Sequence, residues 1–218
     1  MQRSLREVLL ELHQERERRW PAEDLKVNVD QRAELVASFD PSKAVAAGDT
    51  LDDFRLEEVD EGALSLSQLV RSGPAVLIFF RYAGCPVCNL TLPYYDRHLL
   101  PALQERGIPL VAVSPQMPER LREIKTRHGL KMKVATDRNN DIARRLGITF
   151  ICNDASKEFY LAQGWSFPVG MGTGTWELPH PTALVVDRNR RVLLADVTPD
   201  WLLRTEPATI LSALADEH

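Results

Sequence analysis

The fold is decided by the stretch Ala75-Val-Leu-Ile-Phe-Phe-Arg-Tyr-Ala-Gly-Cys85-Pro-Val-Cys88-Asn-Leu-Thr-Leu-Pro93. Its first six residues are a continuous apolar run, which predicts a buried β-strand. A turn is expected at 82–84, and a helical pattern begins directly after Cys85. A strand that delivers a Cys-x-x-Cys pair to the first turn of a helix predicts a dithiol redox site.

The rest of the chain alternates between predicted strands and helices. Its order is βαβα, then an irregular excursion, then a β-hairpin and a final helix. This order predicts an α/β fold with a central mixed sheet and helices on both faces. The predicted elements are a strand leading into a short helix (63–70), strands at 75–81, 109–114, 133–136, 182–187 and 192–197, and helices at about 86–104, 119–128, 139–146 and 206–215.

Two helices are predicted before this sheet, at 4–19 and 30–39, from apolar residues at helical spacing. We therefore divide the chain into an N-terminal helical extension (1–44) and a main domain (45–218). The two helices either cover the main domain or pack on a partner subunit, so a homodimer is one expectation.

Residues 149–178 interrupt the regular pattern. They contain Cys152, Trp165 and Trp176, with four glycines between Gly164 and Gly174. A long excursion inside a domain is usually functional or a partner surface.

The composition excludes several classes of protein. The 218 residues carry a net charge of −4, so bulk electrostatics predict no nucleic-acid partner. No apolar run approaches the roughly 18 residues that span a bilayer, and the first residues have no apolar core of a signal peptide. Three cysteines are too few for a secreted disulfide scaffold, so the sequence predicts a cytoplasmic protein. No cofactor is expected, and zinc at the cysteines is the alternative.

The Cys-x-x-Cys pair itself predicts a division of labour. Cys85 stands where the helix begins, so unpaired N–H groups and the helix dipole favour its thiolate. Pro86 suits the first helical position, where a missing N–H costs nothing. Cys88 lies one turn further in, within reach of a disulfide. We predict that Cys85 attacks and that Cys88 resolves.

Two alternatives remain open for these cysteines. They could be half of a zinc site completed by Cys152 and one histidine among His98, His128 and His180, although no second Cys-x-x-Cys exists. They could also be inert buried residues, which is the favoured interpretation of Cys152 alone.

The stretch from Phe79 to Leu92 resembles the peroxiredoxin-like branch of the alkyl hydroperoxide reductase/thiol-specific antioxidant (AhpC/TSA) family, in which Tyr-Arg-Gly-x-Trp-Cys-Pro-Tyr-Cys-Asn-Leu-x-Leu occurs. The resemblance covers about residues 45–215 and implies a thioredoxin-like fold. Further matches, in the same order, are Ala112-Val-Ser-Pro-Gln-Met-Pro118, Thr136-Asp137 with Asn140, Leu178-Pro-His-Pro-Thr-Ala-Leu-Val-Val-Asp187, and Pro199-Asp-Trp-x-x-Arg204-x-Glu206-Pro207.

The resemblance also implies roles for Pro181 and His180. Thioredoxin-like folds place a cis-proline before the strand that faces the Cys-x-x-Cys, and Pro181 stands at that position. A cis bond would turn the His180 backbone toward the dithiol, where it could pair with a thiol substrate. The alternative is an ordinary trans proline at the start of a strand.

The sequence departs from peroxiredoxins proper around the first cysteine. Tyr82 replaces a Thr or Ser that polarises the peroxide, and no arginine lies near the strand that begins at Thr182. Arg81 and the Tyr82 hydroxyl are candidate substitutes, although an Arg at a strand end is more often solvated. Gly84 and Val87 replace Trp and Tyr, which predicts open space around the sulfur.

Three functions are compatible with these residues. The first is a thiol peroxidase that takes a hydroperoxide and is recycled by a thioredoxin- or glutathione-type reductant. The second is a thiol-disulfide oxidoreductase, and the third a redox-gated interaction module. Under any of these functions, the candidate supporting or substrate-binding residues are Arg81, Tyr82, Trp176, His180 and Pro181.

Overall fold

A seven-stranded mixed sheet forms the centre of the computed structural model, which describes residues 3–215. A separate pair of short strands lies beside it. The strands are β1 (Arg55–Glu58), β2 (Gly62–Ser65), β3 (Ala75–Phe79), β4 (Leu110–Ser114), β5 (Lys133–Thr136), β6 (Thr149–Ile151), β7 (Glu177–Pro179), β8 (Thr182–Val186) and β9 (Val192–Val197).

The strand order in the large sheet is β2-β1-β5-β4-β3-β8-β9. Strands β3, β4 and β5 run parallel, and their other neighbours pair antiparallel. All five residues of β3 are buried, as expected for an apolar strand covered on both faces. β6 and β7 form the separate antiparallel pair.

Helices cover both faces of this sheet. Local signals set several of their ends: Ser4 and Glu7 form a capping box before the first helix, and Gly129 ends the sixth with φ +59°. The helices are α1 (Leu5–Arg19), α2 (Ala22–Ser38), α3 (Leu66–Leu69), α4 (Pro86–His98), α5 (Leu100–Glu105), α6 (Pro118–His128), α7 (Asp141–Arg145), α8 (Asp154–Ala162), α9 (Phe167–Met171) and α10 (Pro207–Ala213).

Alternate residues of β3 enter two different cores. Val76 and Ile78 lie in one core with α1, α4, α6 and α10, whereas Leu77 and Phe79 lie in the other with α3 and α7. This alternation follows from the two-residue period of a strand. The predicted mixed sheet with helices on both faces is confirmed.

Two helix predictions need correction. The second N-terminal helix begins at Ala22 rather than Asp30. The predicted helix over 86–104 is two helices, interrupted at Leu99. Pro101 follows this break, and its ring and missing N–H do not allow one continuous helix there.

The N-terminal helices dock on the rest of the chain. α1 packs on α4, and α2 packs on α8. Glu206 accepts hydrogen bonds from the backbone N–H groups of Leu5 and Arg6, and Arg32 forms a bidentate ion pair with Asp200 at 2.7 and 2.8 Å. The buried faces of these helices are therefore used within the chain, while the boundary between 44 and 45 stays a prediction.

The excursion at 149–178 is an ordered segment. β6 and β7 pair at its two ends, and α8 and α9 lie between them. None of the helices formed by residues 3–215 is both long and apolar enough to cross a membrane.

Candidate active site

Cys85 lies at the junction of the central strand and α4. It is the N-cap residue of the helix, and Pro86 occupies the first turn. The backbone N–H of Cys85 donates to the Tyr82 carbonyl at 3.2 Å. The Asn89 amide donates to the carbonyls of Ala83 and Cys85 at 2.7 and 2.9 Å, which fixes the turn from within the helix.

Both sulfurs of the Cys-x-x-Cys pair are buried. The exposed fraction is 1% for Cys85 and 0% for Cys88, and both residues are free thiols. The Cys88 thiol lies within hydrogen-bonding reach of the Cys85 sulfur. The structure thus brings the predicted attacking and resolving residues together.

Arg81 is buried beside this pair, with only 1% of its surface exposed. Its Nη2 donates to the Tyr160 hydroxyl at 3.2 Å, and its guanidinium lies over the rings of Trp201 and Tyr82 at 4.6 and 5.5 Å. The alternative prediction, that Arg81 is a solvent-exposed arginine at the end of a strand, is therefore wrong. Excursion helix α8 and the segment after β9 cover the end of the strand.

A second arginine, Arg204, approaches the pair from the segment after β9. Its Nη2 lies 3.8 Å from the Cys88 sulfur, and its Nη1 donates to the carbonyls of Trp201 and Leu203 at 2.5 Å. The sequence did not predict that Arg204 contacts the dithiol. Arg204 stands within a motif that matches the family, but the expected position of an arginine was beside the strand at Thr182.

These charges decide the ionisation of Cys85. Burial alone would raise the pKa of its thiol. The hydrogen bond from the Cys88 thiol, the positive charges of Arg81 and Arg204, and a weaker contact with the Cys88 N–H together lower that pKa to about 5. Cys85 is then mostly thiolate at neutral pH. Burial, the hydrogen bond to Cys85 and its negative charge raise the pKa of Cys88.

We predict that the ultraviolet absorbance of the reduced Cys152→Ser protein has a thiolate step near pH 5. The thiolate is present above this pH and is lost as the pH falls through it, because the pKa of Cys85 is lowered. An ordinary cysteine would place the step at about 8.5. The Cys85→Ser protein is the control, and a step that survives in it would contradict the assignment.

A cavity of about 360 Å³ opens beside Cys85. Its walls come from four separate parts of the chain: the N-terminal helices, the turn at 81–86, the excursion, and the segment after β9. The aromatic side chains that line it are Trp20, Tyr82, Phe159, Tyr160, Trp165 and Trp201.

Trp165 lies where the sequence predicted open space. A Cβ added to Gly84 would lie 2.8 Å from Cη2 of Trp165, so only glycine allows this close approach. Trp165 also packs on Tyr82, with ring centres 6.4 Å apart. Trp165, from a distant part of the chain, therefore fills the place of the missing Gly84 side chain, while Gly84 still lines the cavity beside Cys85.

Tyr82 occupies the place of the usual Thr or Ser and is buried. Its ring packs on Phe167 at 4.9 Å, and burial raises the pKa of its phenol. The next residue, Ala83, donates its N–H to Oε1 of Gln116 at 2.8 Å. Gln116 belongs to one of the motifs that match the family, and it supports the turn before Cys85 from the end of β4.

The prediction of a cis bond at Pro181 is wrong, since no peptide bond among residues 3–215 is cis. β7 ends at Pro179 and β8 begins at Thr182, so an extended trans segment carries the chain between the two sheets. The His180 N–H donates to the Ile148 carbonyl at 2.7 Å, away from the dithiol.

The His180 ring is also placed away from the cavity. It is buried between Phe39 and Phe150, with ring centres 5.4 and 4.8 Å away. Burial, helped by the charge of Arg81, lowers the pKa of His180 to about 4, so the ring is neutral at physiological pH. Neither His180 nor Pro181 lines the cavity.

Trp176 does not line the cavity either. Its ring packs on Phe167 at 5.3 Å, and its carbonyl accepts the N–H of Cys152 at 3.0 Å. Phe167 in turn packs on Tyr82. Trp176 thus supports the wall of the site from behind, and Trp165 is the excursion tryptophan that faces the cavity.

The residues of the zinc alternative lie in separate places. Within residues 3–215, no group of three or more His, Cys, Asp or Glu side chains has the arrangement of a metal site. His128 shares a hydrogen bond with Asn89, and His98 packs on Tyr94. Cys152 is buried beside Gln31, and burial raises the pKa of its thiol.

Comparison with known proteins gives a family and a fold. The family model described as "AhpC/TSA family" matches residues 47–195. No protein of curated function matches the chain significantly in sequence.

Solved structures with similar folds include three proteins of the peroxiredoxin type. Peroxidoxin BcpB from Mycobacterium tuberculosis superposes with a TM-score of 0.61 at 19% identity, over 80% of this chain and 99% of that one. The reduced 2-Cys peroxiredoxin of Plasmodium vivax gives 0.60 at 17%, over 80% and 98%. The bacterioferritin comigratory protein of Xanthomonas campestris gives 0.59 at 13%, over 80% and 96%. The predicted thioredoxin-like fold is confirmed.

Proposed function

The chain belongs to the AhpC/TSA family of thiol-dependent oxidoreductases, and from this premise we propose that it reduces hydroperoxides through Cys85, with Cys88 as the resolving thiol. The observation that carries the proposal is a buried Cys85 thiolate held beside two arginines at a cavity of about 360 Å³. The Xanthomonas campestris protein of similar fold is described as having alkyl peroxide reduction activity, which agrees with this reaction class.

Burial of the sulfur favours a peroxidase over a protein disulfide reductase. A thiolate that attacks a protein disulfide must meet another sulfur at the surface, whereas Cys85 is 1% exposed. A hydroperoxide is small enough to enter the cavity. The His180 N–H is already paired with the Ile148 carbonyl, so it is not free to bind a disulfide substrate.

In the first step the Cys85 thiolate attacks the terminal oxygen of the hydroperoxide. An S–O bond forms and the O–O bond breaks, so the sulfur is oxidised by two electrons and the peroxide is reduced to an alcohol. The leaving alkoxide takes a proton from solvent or from the Tyr82 hydroxyl. Arg81, whose Nε is buried without a partner, stabilises the negative charge that develops on oxygen.

In the second step Cys88 attacks the Cys85 sulfenic acid. Burial still raises the pKa of Cys88, but the sulfenic acid is neutral, so the contribution from the negative charge of Cys85 is gone, while Arg204 lies 3.8 Å from the Cys88 sulfur. The Cys88 thiolate then forms the S–S bond, and the hydroxide that leaves becomes water with one proton. A thioredoxin- or glutathione-type thiol returns the disulfide to the dithiol.

Such a reductant implies a reducing, cytoplasmic setting, which we include in the proposal. A homodimer is retained as a prediction, because α1 and α2 carry exposed apolar residues such as Leu10 and Val36 on their outer faces.

The decisive experiment is stopped-flow consumption of hydrogen peroxide and of cumene hydroperoxide by the reduced protein, beside reduction of insulin and of glutathione disulfide. We expect hydroperoxide reduction far above that of a free thiol, and little disulfide reduction. Peroxide consumption no faster than by free cysteine, together with rapid insulin reduction, would establish the oxidoreductase instead.

Cys88→Ser tests the resolving step separately. We expect the first turnover with peroxide to remain within about tenfold of the wild type, since Cys88 only tunes the Cys85 thiolate. Recycling by thioredoxin should fail, and Cys85 should accumulate as sulfenic acid, which dimedone labelling and mass spectrometry detect. Unchanged steady-state turnover with thioredoxin would exclude Cys88 as the resolving residue.

A further inference from the structure

Arg16 on α1 is a buried cation that, within residues 3–215, has no carboxylate partner; the negative charge that acts on it most strongly is the Cys85 thiolate. Only 5% of its surface is exposed, and no side chain or backbone group described in residues 3–215 forms a hydrogen bond or ion pair with its guanidinium. Its Nη1 is buried without a partner. The guanidinium packs on two aromatic rings, at 5.1 Å from Trp20 and 5.8 Å from Trp201.

An unpaired charge in this position is costly to the folded protein. Taking a cation from water without a partner loses its solvation, and contact with ring faces returns only part of that loss. Desolvation accordingly lowers the pKa of Arg16. A residue that only attached α1 to the domain could be apolar at lower cost, so this charge points to a ligand.

Arg16 has fewer direct contacts than the two arginines beside the dithiol. Arg81 donates a hydrogen bond to the Tyr160 hydroxyl and interacts with the charge of the Cys85 thiolate. Arg204 donates to two backbone carbonyls and contacts the Cys88 sulfur. Arg16 lines the same cavity and forms no hydrogen bond with any of these groups, although the charge of the Cys85 thiolate acts on it. The carboxylate of Asp24 lies at the cavity, but it forms no ion pair with Arg16.

Much of the remaining wall is aromatic and suits a hydrocarbon, beside the polar side chains of Asp24, Asn28 and Gln163. Aromatic rings from the N-terminal segment, from the excursion and from the segment after β9 line the space between Arg16 and Cys85. Arg16 and Arg81 contact the same Trp201 ring, so a cation and the reactive site share one wall. The cavity is far larger than hydrogen peroxide needs.

We propose that the cavity binds an organic hydroperoxide that carries a carboxylate, with Arg16 on the carboxylate and the peroxide group at Cys85. This deepens, and rests on, the proposed peroxidase function. The guanidinium forms a two-pronged, charge-assisted pair with the carboxylate. The hydrocarbon part lies against the aromatic rings, and the reaction at sulfur is the same balanced O–O cleavage.

Binding can be tested without turnover. The probes are 4-phenylbutyrate and the uncharged 4-phenylbutanol, followed by quenching of tryptophan fluorescence in the Cys85→Ser protein. We expect the acid to bind about ten- to a hundredfold more tightly than the alcohol, since one hydrogen bond to a charged group typically increases affinity by that factor. Arg16→Met should abolish this preference and Arg16→Lys should retain part of it. Equal binding of both probes by the unsubstituted cavity would overturn the proposal.

Kinetics give the second test. The substrates are cumene hydroperoxide bearing a para-carboxylate and the methyl ester of that acid. The ratio of their second-order rate constants should favour the acid by about tenfold or more in the wild type, and should fall to about one in Arg16→Met. Should neither hydroperoxide react while 4-phenylbutyrate still binds through Arg16, the peroxidase function fails and the carboxylate site stands.

Thermal unfolding separates a binding role from a structural one. Arg16→Met keeps the stem of the side chain on the rings and removes an unpaired charge, so its melting temperature should equal or exceed that of the wild type. The matched control is Arg19→Met, an exposed arginine at the end of the same helix, which should keep the preference for the acid. If Arg16→Met melts lower and Arg16→Lys shows no preference either, Arg16 is structural.

Discussion

Cys85→Ser is expected to abolish hydroperoxide reduction, with a loss of more than about three powers of ten in the second-order rate constant. The thiolate is the nucleophile, and the site is built to supply it: Cys85 is the N-cap of α4, beside two arginines that lower its pKa. A serine hydroxyl in the same place stays protonated and is a poor nucleophile toward peroxide oxygen. Stopped-flow consumption of hydrogen peroxide measures the effect.

Cys152→Ser is the matched control for this prediction. Cys152 is also buried and also a free thiol, but burial raises the pKa of its sulfur and it does not line the cavity. We expect its substitution to leave the rate within about threefold of the wild type, as is usual for a residue outside the reacting groups. Loss of activity in Cys152→Ser, with Cys85→Ser still active, would reverse the assignment.

The core of the fold could be predicted from local patterns. The apolar run at 75–80 is β3, and the Cys-x-x-Cys pair stands at the start of α4 as expected. These predictions depend only on residues that are neighbours in sequence. The helix break at Leu99 escapes the same reasoning, because the apolar spacing of a helix continues through it and only the effect of Pro101 on the preceding turn marks it.

Most of the cavity could not be predicted in the same way. Arg16, Trp165 and Arg204 come from three distant segments, and only the packing of α1, the excursion and the segment after β9 brings them to Cys85. A buried unpaired arginine has no sequence signature, because the same residue on an exposed helix face gives the same pattern. Gly84 stands out in the sequence, but its partner Trp165 lies 81 positions further along the chain.

The error at Pro181 has a different origin. The expected cis bond came from a resemblance between folds and not from a local pattern. A proline before a strand fits both a cis and a trans bond, since only the neighbouring chain path decides between them. Here β7 pairs with β6 up to Pro179, and an extended trans segment is what joins that pair to the large sheet.

The site residues therefore divide into two groups along the chain. The part that matches the family, 47–195, supplies the two cysteines and Arg81, which perform the proposed chemistry. Arg16 and Trp20 lie before it, and Trp201 and Arg204 lie after it. Both groups build the cavity wall, because Tyr82, Phe159, Tyr160 and Trp165 lie within the matched part and Arg16, Trp20 and Trp201 lie outside it.

Arg81→Met should lower the rate of peroxide reduction by about two to three powers of ten, the usual cost of removing one donor to a developing oxyanion. Two effects act together. The pKa of Cys85 rises because its largest nearby positive charge is lost, and the leaving oxygen loses its buried cation. The raised pKa of Cys85 is measured as a shift of the thiolate absorbance step to higher pH. The loss of charge stabilisation on the leaving oxygen is measured as the decrease in rate that persists at a pH where Cys85 is fully ionised.

Arg81→Lys and Arg204→Met complete this series. Lysine restores the positive charge but not the hydrogen-bond geometry of the guanidinium. In Arg81→Lys we therefore expect the pKa of Cys85 to return close to its wild-type value, while the rate constant of peroxide reduction stays below that of the wild type. Arg204 contacts the Cys88 sulfur and is less buried, so Arg204→Met should slow disulfide formation more than the first attack.

Melting curves check that each variant folds, because Arg81 also holds Tyr160 and Trp201 in place. A folded Arg81→Met protein with a rate within about threefold of the wild type would show that the thiolate and the cavity are sufficient, and that the buried cation acts only as a packing group.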